Sequence, residues 1–265
     1  NWQGKQEKDL WPILRIVRGC SNVLWEREQE AQRNKEELTE LEKAVIGAHF
    51  VNMISGIGRL CYRSNKGMMP VCPYFLEDDI PDEKQATGGS GKSIIVKLVV
   101  GSAVNVLDID MKRMEHINDA RFVLGNLLSE PFKYRVLHWE DKQKGFPMKY
   151  FYNMVTTGLT VEKKSVDQEL VPLKDAPKHV ITCNYPLSDD DDSTVGRFPL
   201  VSFSNRFARA NPQKRKAARL MSALMKNFSD KPEEIDDTDR NQAIYICALA
   251  VQFLMRYHTF AIAPQ

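Results

Sequence analysis

The chain has 265 residues, 37 Lys and Arg against 35 Asp and Glu, 43% hydrophobic content and 5 Cys. These figures exclude disordered, collagen-like and disulfide-scaffold proteins and leave enough length to bury one large core with helical attachments. The net charge of +2 points to no partner, because a near balance can hide local charge blocks.

The five cysteines, Cys20, Cys61, Cys72, Cys183 and Cys247, are odd in number and contain no C-x-x-C pair. That pattern predicts reduced thiols, a cytoplasmic setting and no zinc knuckle. The longest apolar stretch, Ala243–Met255, is broken only by Gln252 and is too short to span a bilayer. It predicts a buried helix and no membrane partner. The start at Asn1, without Met or a signal-like segment, suggests a piece of a larger protein.

Residues 1 to about 62 read as helical. From Glu26 to Asn52 there is no Pro, and Leu38, Leu41, Val45 and Ala48 recur at steps of three and four, which predicts one amphipathic helix. Gly56, Gly58, Gly67 and the Pro70–Pro73 region break the pattern and predict a junction. Four short apolar runs follow, Ala103–Leu107, Tyr134–Trp139, His179–Cys183 and Leu200–Phe203, bounded by polar or turn residues as buried strands are. After Arg206 the chain turns helical again, with an acidic stretch from Asp230 to Asp239 between two helical runs. The expected division is a helical region over 1–70, an α/β core over 71–207 and a helical lid over 208–265.

The strongest local signal is A-T-G-G-S-G-K-S, Ala86–Ser93, a phosphate-loop pattern with Ala at its first position. Gly88, Gly89 and Gly91, with Ser90 between, let backbone N–H groups wrap the phosphates of ATP. Lys92 reaches the β/γ oxygens and the Ser93 hydroxyl holds Mg²⁺. The apolar I-I-V-K-L-V-V that follows predicts the helix after the loop. The best candidate for the strand before it, Pro70–Leu76, is set apart by the acidic segment Glu77–Glu83.

A phosphate loop needs a second acidic element at the end of a buried strand. Y-R-V-L-H-W-E-D, Tyr134–Asp141, supplies one: of Glu140 and Asp141, one carboxylate can bind Mg²⁺ and the other orient the attacking water. His138 in that strand reads as packed. H-V-I-T-C-N ends a further strand at Asn184, an amide able to hydrogen-bond the water or the γ-phosphate. Thr156–Ser165 alternates towards the pair Lys163 and Lys164, as at a hairpin tip. Asp189–Asp192 read as a solvated loop, whereas Arg197, just before an apolar strand, is hard to explain by solvation. Arg206, Arg209, Lys214, Arg215, Lys216 and Arg219 form a basic cluster that could face DNA or be a solvated helix.

The order of these motifs over residues 84–207 resembles the superfamily 3 helicases, AAA+ ATPases of viruses, phages and mobile elements. W-E-D-K-Q-K-G, L-T-V-E-K-K-S and V-I-T-C-N-Y are similar to the corresponding segments of polyomavirus large T antigens. The resemblance implies an AAA+ phosphate-loop core with a parallel sheet, working as a ring, commonly a hexamer, that translocates on single-stranded DNA. It implies that Lys92 and Ser93 are the Walker A pair, Glu140 and Asp141 the Walker B pair, Asn184 the sensor and Arg197 an arginine finger acting in trans. Mg²⁺ would rest on Ser93 and Asp141, although the E-D order leaves open which carboxylate takes the metal. Lys163 and Lys164 would lie on a pore hairpin that grips DNA, and a fused or associated primase is an expected partner. Two other readings stand beside the motor: an AAA+ nucleotide switch or scaffold without unwinding activity, and a phosphate-loop kinase, for which no acceptor site is evident.

Overall fold

A computed structural model of the chain describes residues 11–65, 70–77, 89–112, 114, 124–125, 133–162, 169–187, 191–209 and 234–257. Three helices open it: α1 (Pro12–Ser21), α2 (Trp25–Asn34) and α3 (Glu40–Cys61). The single helix expected over Glu26–Asn52 is thus two. Helix α2 stops where Lys35 takes a left-handed conformation, φ 57°, and α3 restarts with a capping box in which Thr39 and Glu42 satisfy each other's backbone N–H groups. The T-x-x-E signature was present in the sequence, but the absence of Pro masked it.

Gly56 and Gly58 do not mark a junction either, because α3 runs through both to Cys61. Gly58 is there for close approach: a Cβ built on it would lie 2.4 Å from the carbonyl oxygen of Ala250 on the long C-terminal helix α8 (Asp237–Tyr257). Since both atoms belong to packed backbones, Gly58→Ala should destabilise the fold by about 1–3 kcal/mol through overpacking. Chemical denaturation reads it, and an unchanged midpoint would show that α3 and α8 slide apart freely. By length and composition α3 could cross a membrane, yet half of its most apolar window is buried inside this fold.

Five strands form one parallel sheet in the order β2 (Val106–Asp110), β3 (Val136–Glu140), β6 (Lys178–Cys183), β1 (Tyr74–Glu77), β7 (Leu200–Phe203). Three of the four apolar runs contain or nearly match their strands. The first is displaced, from Ala103–Leu107 to Val106–Asp110, because Ala103 and Val104 still donate to Val100 at the end of the preceding helix. A separate antiparallel hairpin, β4 (Gly158–Val161) with β5 (Glu169–Pro172), is inserted between β3 and β6 after helix α5 (Lys149–Thr156).

Alternation along the strands divides the core between the two faces of the sheet. Phe75, Val136, Val180 and Val201 face a cluster with α1, α3 and α8, to which Ile13, Ile16, Met53, Ile57, Ile246 and Ala250 belong. Tyr74, Leu137, Trp139 and Ile181 face the other, with Phe146, Phe151 and Phe198. Both faces are covered, as a parallel sheet requires. The result is the α/β class expected from the motifs, a parallel sheet flanked by helices as in a phosphate-loop NTPase core. Helix α8 differs from expectation in one respect. Ala243, Ile246, Cys247, Ala250 and Leu254 are buried, but Ile244, Tyr245, Leu249 and Met255 are exposed. All five cysteines are free.

Candidate nucleotide site

Strand β1 ends at Glu77, and helix α4 begins at Lys92 (Lys92–Ile94) and continues as a π-helical stretch, Ile95–Val100. The phosphate loop therefore belongs to the C-terminal edge of the sheet. Gly89 and Gly91 take φ of 90° and 95°, left-handed backbone that a side chain rarely adopts. Gly88 lies outside the described residues. Ser90 is fully buried, and its Oγ accepts a hydrogen bond of 2.9 Å from Lys92 Nζ.

The same ammonium lies 3.4 Å from Glu77 Oε2, and both side chains are buried. Burial pushes the Lys92 pKa down, and the charge of Glu77 opposes the shift. Sequence reasoning passed over Glu77 as part of an acidic spacer. Its signal was the one used for Glu140, a carboxylate at the end of an apolar strand.

Across β6, Glu140 ends β3. Its Oε1 accepts from Ser93 Oγ at 2.9 Å and its Oε2 from Lys97 Nζ at 2.8 Å. Lys97 sits one helical turn after Ser93 and also pairs with Asp108 of β2 at 3.7 Å. His138 is packed, as expected, and fully buried: Nδ1 meets Asp108 at 2.6 Å and Nε2 meets Thr182 Oγ1 at 3.0 Å. Burial works to raise the pKa of Asp108, but the hydrogen bond and charge of His138, with Lys97, outweigh it and hold the carboxyl low. The ligand atoms of Asp108, His138 and Glu140 lie within 4.8 Å of one another. With the Ser93 hydroxyl beside Glu140, this edge offers the oxygen donors that a magnesium ion needs.

Asp141 follows with φ 54° and pairs with Lys112 at 2.7 Å. It shares a cavity of about 290 Å³ with Lys112, Lys144, Asn184 and Tyr185. Asn184 Oδ1 is buried there with no hydrogen-bond partner among the described residues. The two loops that carry these groups are knitted together. Lys142 N donates to Thr182 O at 3.1 Å, Cys183 Sγ donates to Lys142 O at 3.2 Å, and the Tyr74 hydroxyl of β1 donates to Tyr185 O at 2.8 Å. Phosphate loop, acidic pair and Asn184 are thus gathered at one edge of three adjacent strands.

Arg197 is at the other edge. It ends helix α6 (Asp192–Arg197) just ahead of β7, and its carbonyl accepts from Cys72 N at 2.8 Å, before β1 begins. Its guanidinium donates to Ser193 O at 2.8 Å and lies 4.9 Å from the centre of the Tyr152 ring. Lys163 and Lys164 lie outside the described residues, between the paired ends Val161 and Glu169 of the β4–β5 hairpin. Of the basic cluster, Arg206 and Arg209 fall on helix α7 (Arg206–Arg209), and the remaining four lie outside the described residues.

No protein-family model and no curated protein matches the chain. Among solved structures, an A-form apo structure of the NrS-1 C-terminal region is 14% identical over 81% of this chain and 48% of its own, with a TM-score of 0.43. An X-ray structure of JCV helicase is 13% identical over 92% of this chain and 69% of its own, with a TM-score of 0.39. The chain spans about half the length of the NrS-1 chains it matches. Function therefore rests on this chain's own residues.

Proposed function

We propose that this chain is the motor core of an ATP-driven, ring-forming DNA helicase or translocase of the superfamily 3 type, serving replication of a phage, virus or mobile element. One observation carries the reading: the Ser93 hydroxyl of the phosphate loop is bonded to Glu140 at the end of the acidic strand, with Asn184 just past the end of β6, the strand between β1 and β3. Such a constellation positions a nucleotide triphosphate and a water for phosphoryl transfer, where catalysis is mostly placement and charge stabilisation.

Lys92 and the N–H groups of Gly89–Ser93 hold the phosphates. Ser93 and Glu140 would hold Mg²⁺, because the hydroxyl is seated against Glu140; the resemblance paired Ser93 with Asp141 and left the choice of carboxylate open. When bound, the ion neutralises charge on the phosphate oxygens. Asp141 and Asn184, which line one cavity, accept hydrogen bonds from the attacking water and orient it. Glu77 keeps Lys92 charged despite its burial. Arg197 serves the neighbouring subunit of a ring, commonly a hexamer, and the β4–β5 hairpin with Lys163 and Lys164 grips single-stranded DNA. A primase, fused or associated, is the further partner, and the cytoplasm the setting.

The test is ATP turnover with and without single-stranded DNA, alongside oligomeric state in an ATP analogue. Stimulation by DNA with ring formation is expected. Nucleotide-dependent assembly without stimulation would instead make the chain a switch. Within the site, Glu140→Gln should retain nucleotide binding and lower turnover by about 10²–10³-fold. Full turnover in that variant would remove Glu140 from the chemistry.

A further inference from the structure

The N-terminal edge of the sheet carries a second polar cavity, of about 610 Å³. Tyr62 and Arg63 close it from the end of α3, Tyr134 and Arg135 from the entry to β3, Lys174 from the segment joining β5 to β6, and Lys178 from the first position of β6. It opens at the other end of the strands that carry Glu140 and Asn184, about 17 Å away at roughly 3.3 Å per residue. It is therefore separate from the nucleotide site.

Four cations line this cavity against a single acid, Asp175, and Asp175 pairs with Lys174 at 3.6 Å. Among the described residues, neither Arg63, Arg135 nor Lys178 has a carboxylate partner. Arg135 donates one hydrogen bond to Arg63 O at 2.6 Å, and Lys178 donates one to Tyr62 O. That leaves donors to spare on a five-donor guanidinium and a three-donor ammonium. Lys178 is only 6% exposed, and Arg59 is buried as well, with Asn65 Oδ1 at 3.2 Å as its side-chain hydrogen-bond partner among the described residues. Burial, reinforced by Arg59 and Arg135, pushes Lys178 down to about 7. Concentrating buried positive charge without an acid is costly unless an anion completes it.

We propose that this cavity binds a phosphate group, supplied by the backbone of single-stranded DNA as the strand passes the base of the β4–β5 hairpin. The phosphate chemistry follows from Arg63, Arg135, Lys174 and Lys178. The choice of DNA as its source rests on the motor reading, and on two further features. β5 ends at Pro172, two residues before Lys174, so the base of the hairpin adjoins the cavity. The half-buried rings of Tyr62 and Tyr134 flank the cations, an arrangement that suits a base beside its phosphate.

The experiment compares the wild-type chain with Arg63→Gln/Lys174→Gln, two exposed rim positions, and with Arg135→Gln. Each is titrated with a fluorescent oligothymidylate at several salt concentrations and with inorganic phosphate in saturating ADP. Expected are about tenfold weaker DNA binding in the rim variant and a salt slope reduced by about 0.7 per contact removed. Basal ATP turnover and melting temperature should match wild type. If DNA binding is unchanged but the variants lose phosphate binding, the cavity keeps its anion and the DNA assignment is wrong. If the wild type binds no DNA at all, the motor reading fails, and the phosphate titration alone decides the cavity. No phosphate binding in the wild type, or equal phosphate and DNA binding in wild type and variants, overturns the proposal.

Discussion

Lys92→Ala is expected to lower ATP hydrolysis by about 10³-fold or more while the chain stays folded. In the proposed site Lys92 is the phosphate-loop cation that meets the β/γ oxygens, where negative charge concentrates during transfer, and low-dielectric surroundings amplify its effect. Its ammonium is buried and already held by Ser90 and Glu77, so little reorganisation separates its resting and working positions. The substitution also strips Glu77 of its counter-charge and leaves a carboxylate only 7% exposed. A buried carboxylate that loses its partner is destabilising, so Lys92→Ala alone mixes chemistry with folding. Lys92→Ala combined with Glu77→Gln separates them: the double variant should recover melting temperature but no turnover. Phosphate release, calorimetric nucleotide binding and thermal melts read the set. Undiminished hydrolysis in either variant would sink the nucleotide reading.

The asymmetry between Lys92 and Glu77 shows what sequence reading can reach. A motif whose spacing is local, such as G-G-S-G-K-S or W-E-D, announces itself, and the strand ends that carry Glu140 and Asn184 were legible from short apolar runs bounded by polar residues. Glu77, Lys97 and Asp108 acquire their contacts only because β1, α4 and β2 converge on one edge of the sheet. That convergence depends on strand order, with β6 inserted between β1 and β3 and β2 set beside β3. No local pattern encodes it. The N-terminal helices differ from expectation for another reason: absence of Pro does not ensure continuity, since Lys35 and the Thr39–Glu42 box end one helix and start the next. Gly58 was read by its conformational freedom, when its missing Cβ is what α8 requires.

Arg197→Ala should abolish hydrolysis as severely as the loss of Lys92, and for a reason that only an assembly supplies. The phosphate loop follows the C-terminal end of β1, whereas Arg197 is bonded to Cys72 ahead of its N-terminal end. The span between them is about 17 Å at roughly 3.3 Å per residue, beyond the reach of an arginine side chain within one chain. In the proposed ring, a guanidinium on that edge serves a neighbour's nucleotide and not its own. Supplied in trans, such a group is worth about 10³–10⁵ in rate. Its present contacts, with Ser193 and the face of Tyr152, hold it on the surface of α6. A purely structural role there would show as a lowered melting temperature with turnover falling in proportion to unfolding. A trans role shows in mixing: Arg197→Ala and Lys92→Ala are each inactive, yet mixed rings contain interfaces where an intact phosphate loop meets an intact Arg197. Partial recovery of ATPase in the mixture, rising and falling with the ratio of the two proteins, is the expected outcome. Mixed oligomers that form without any recovery would remove Arg197 from the site, and a monomer fully active at every concentration would remove the ring.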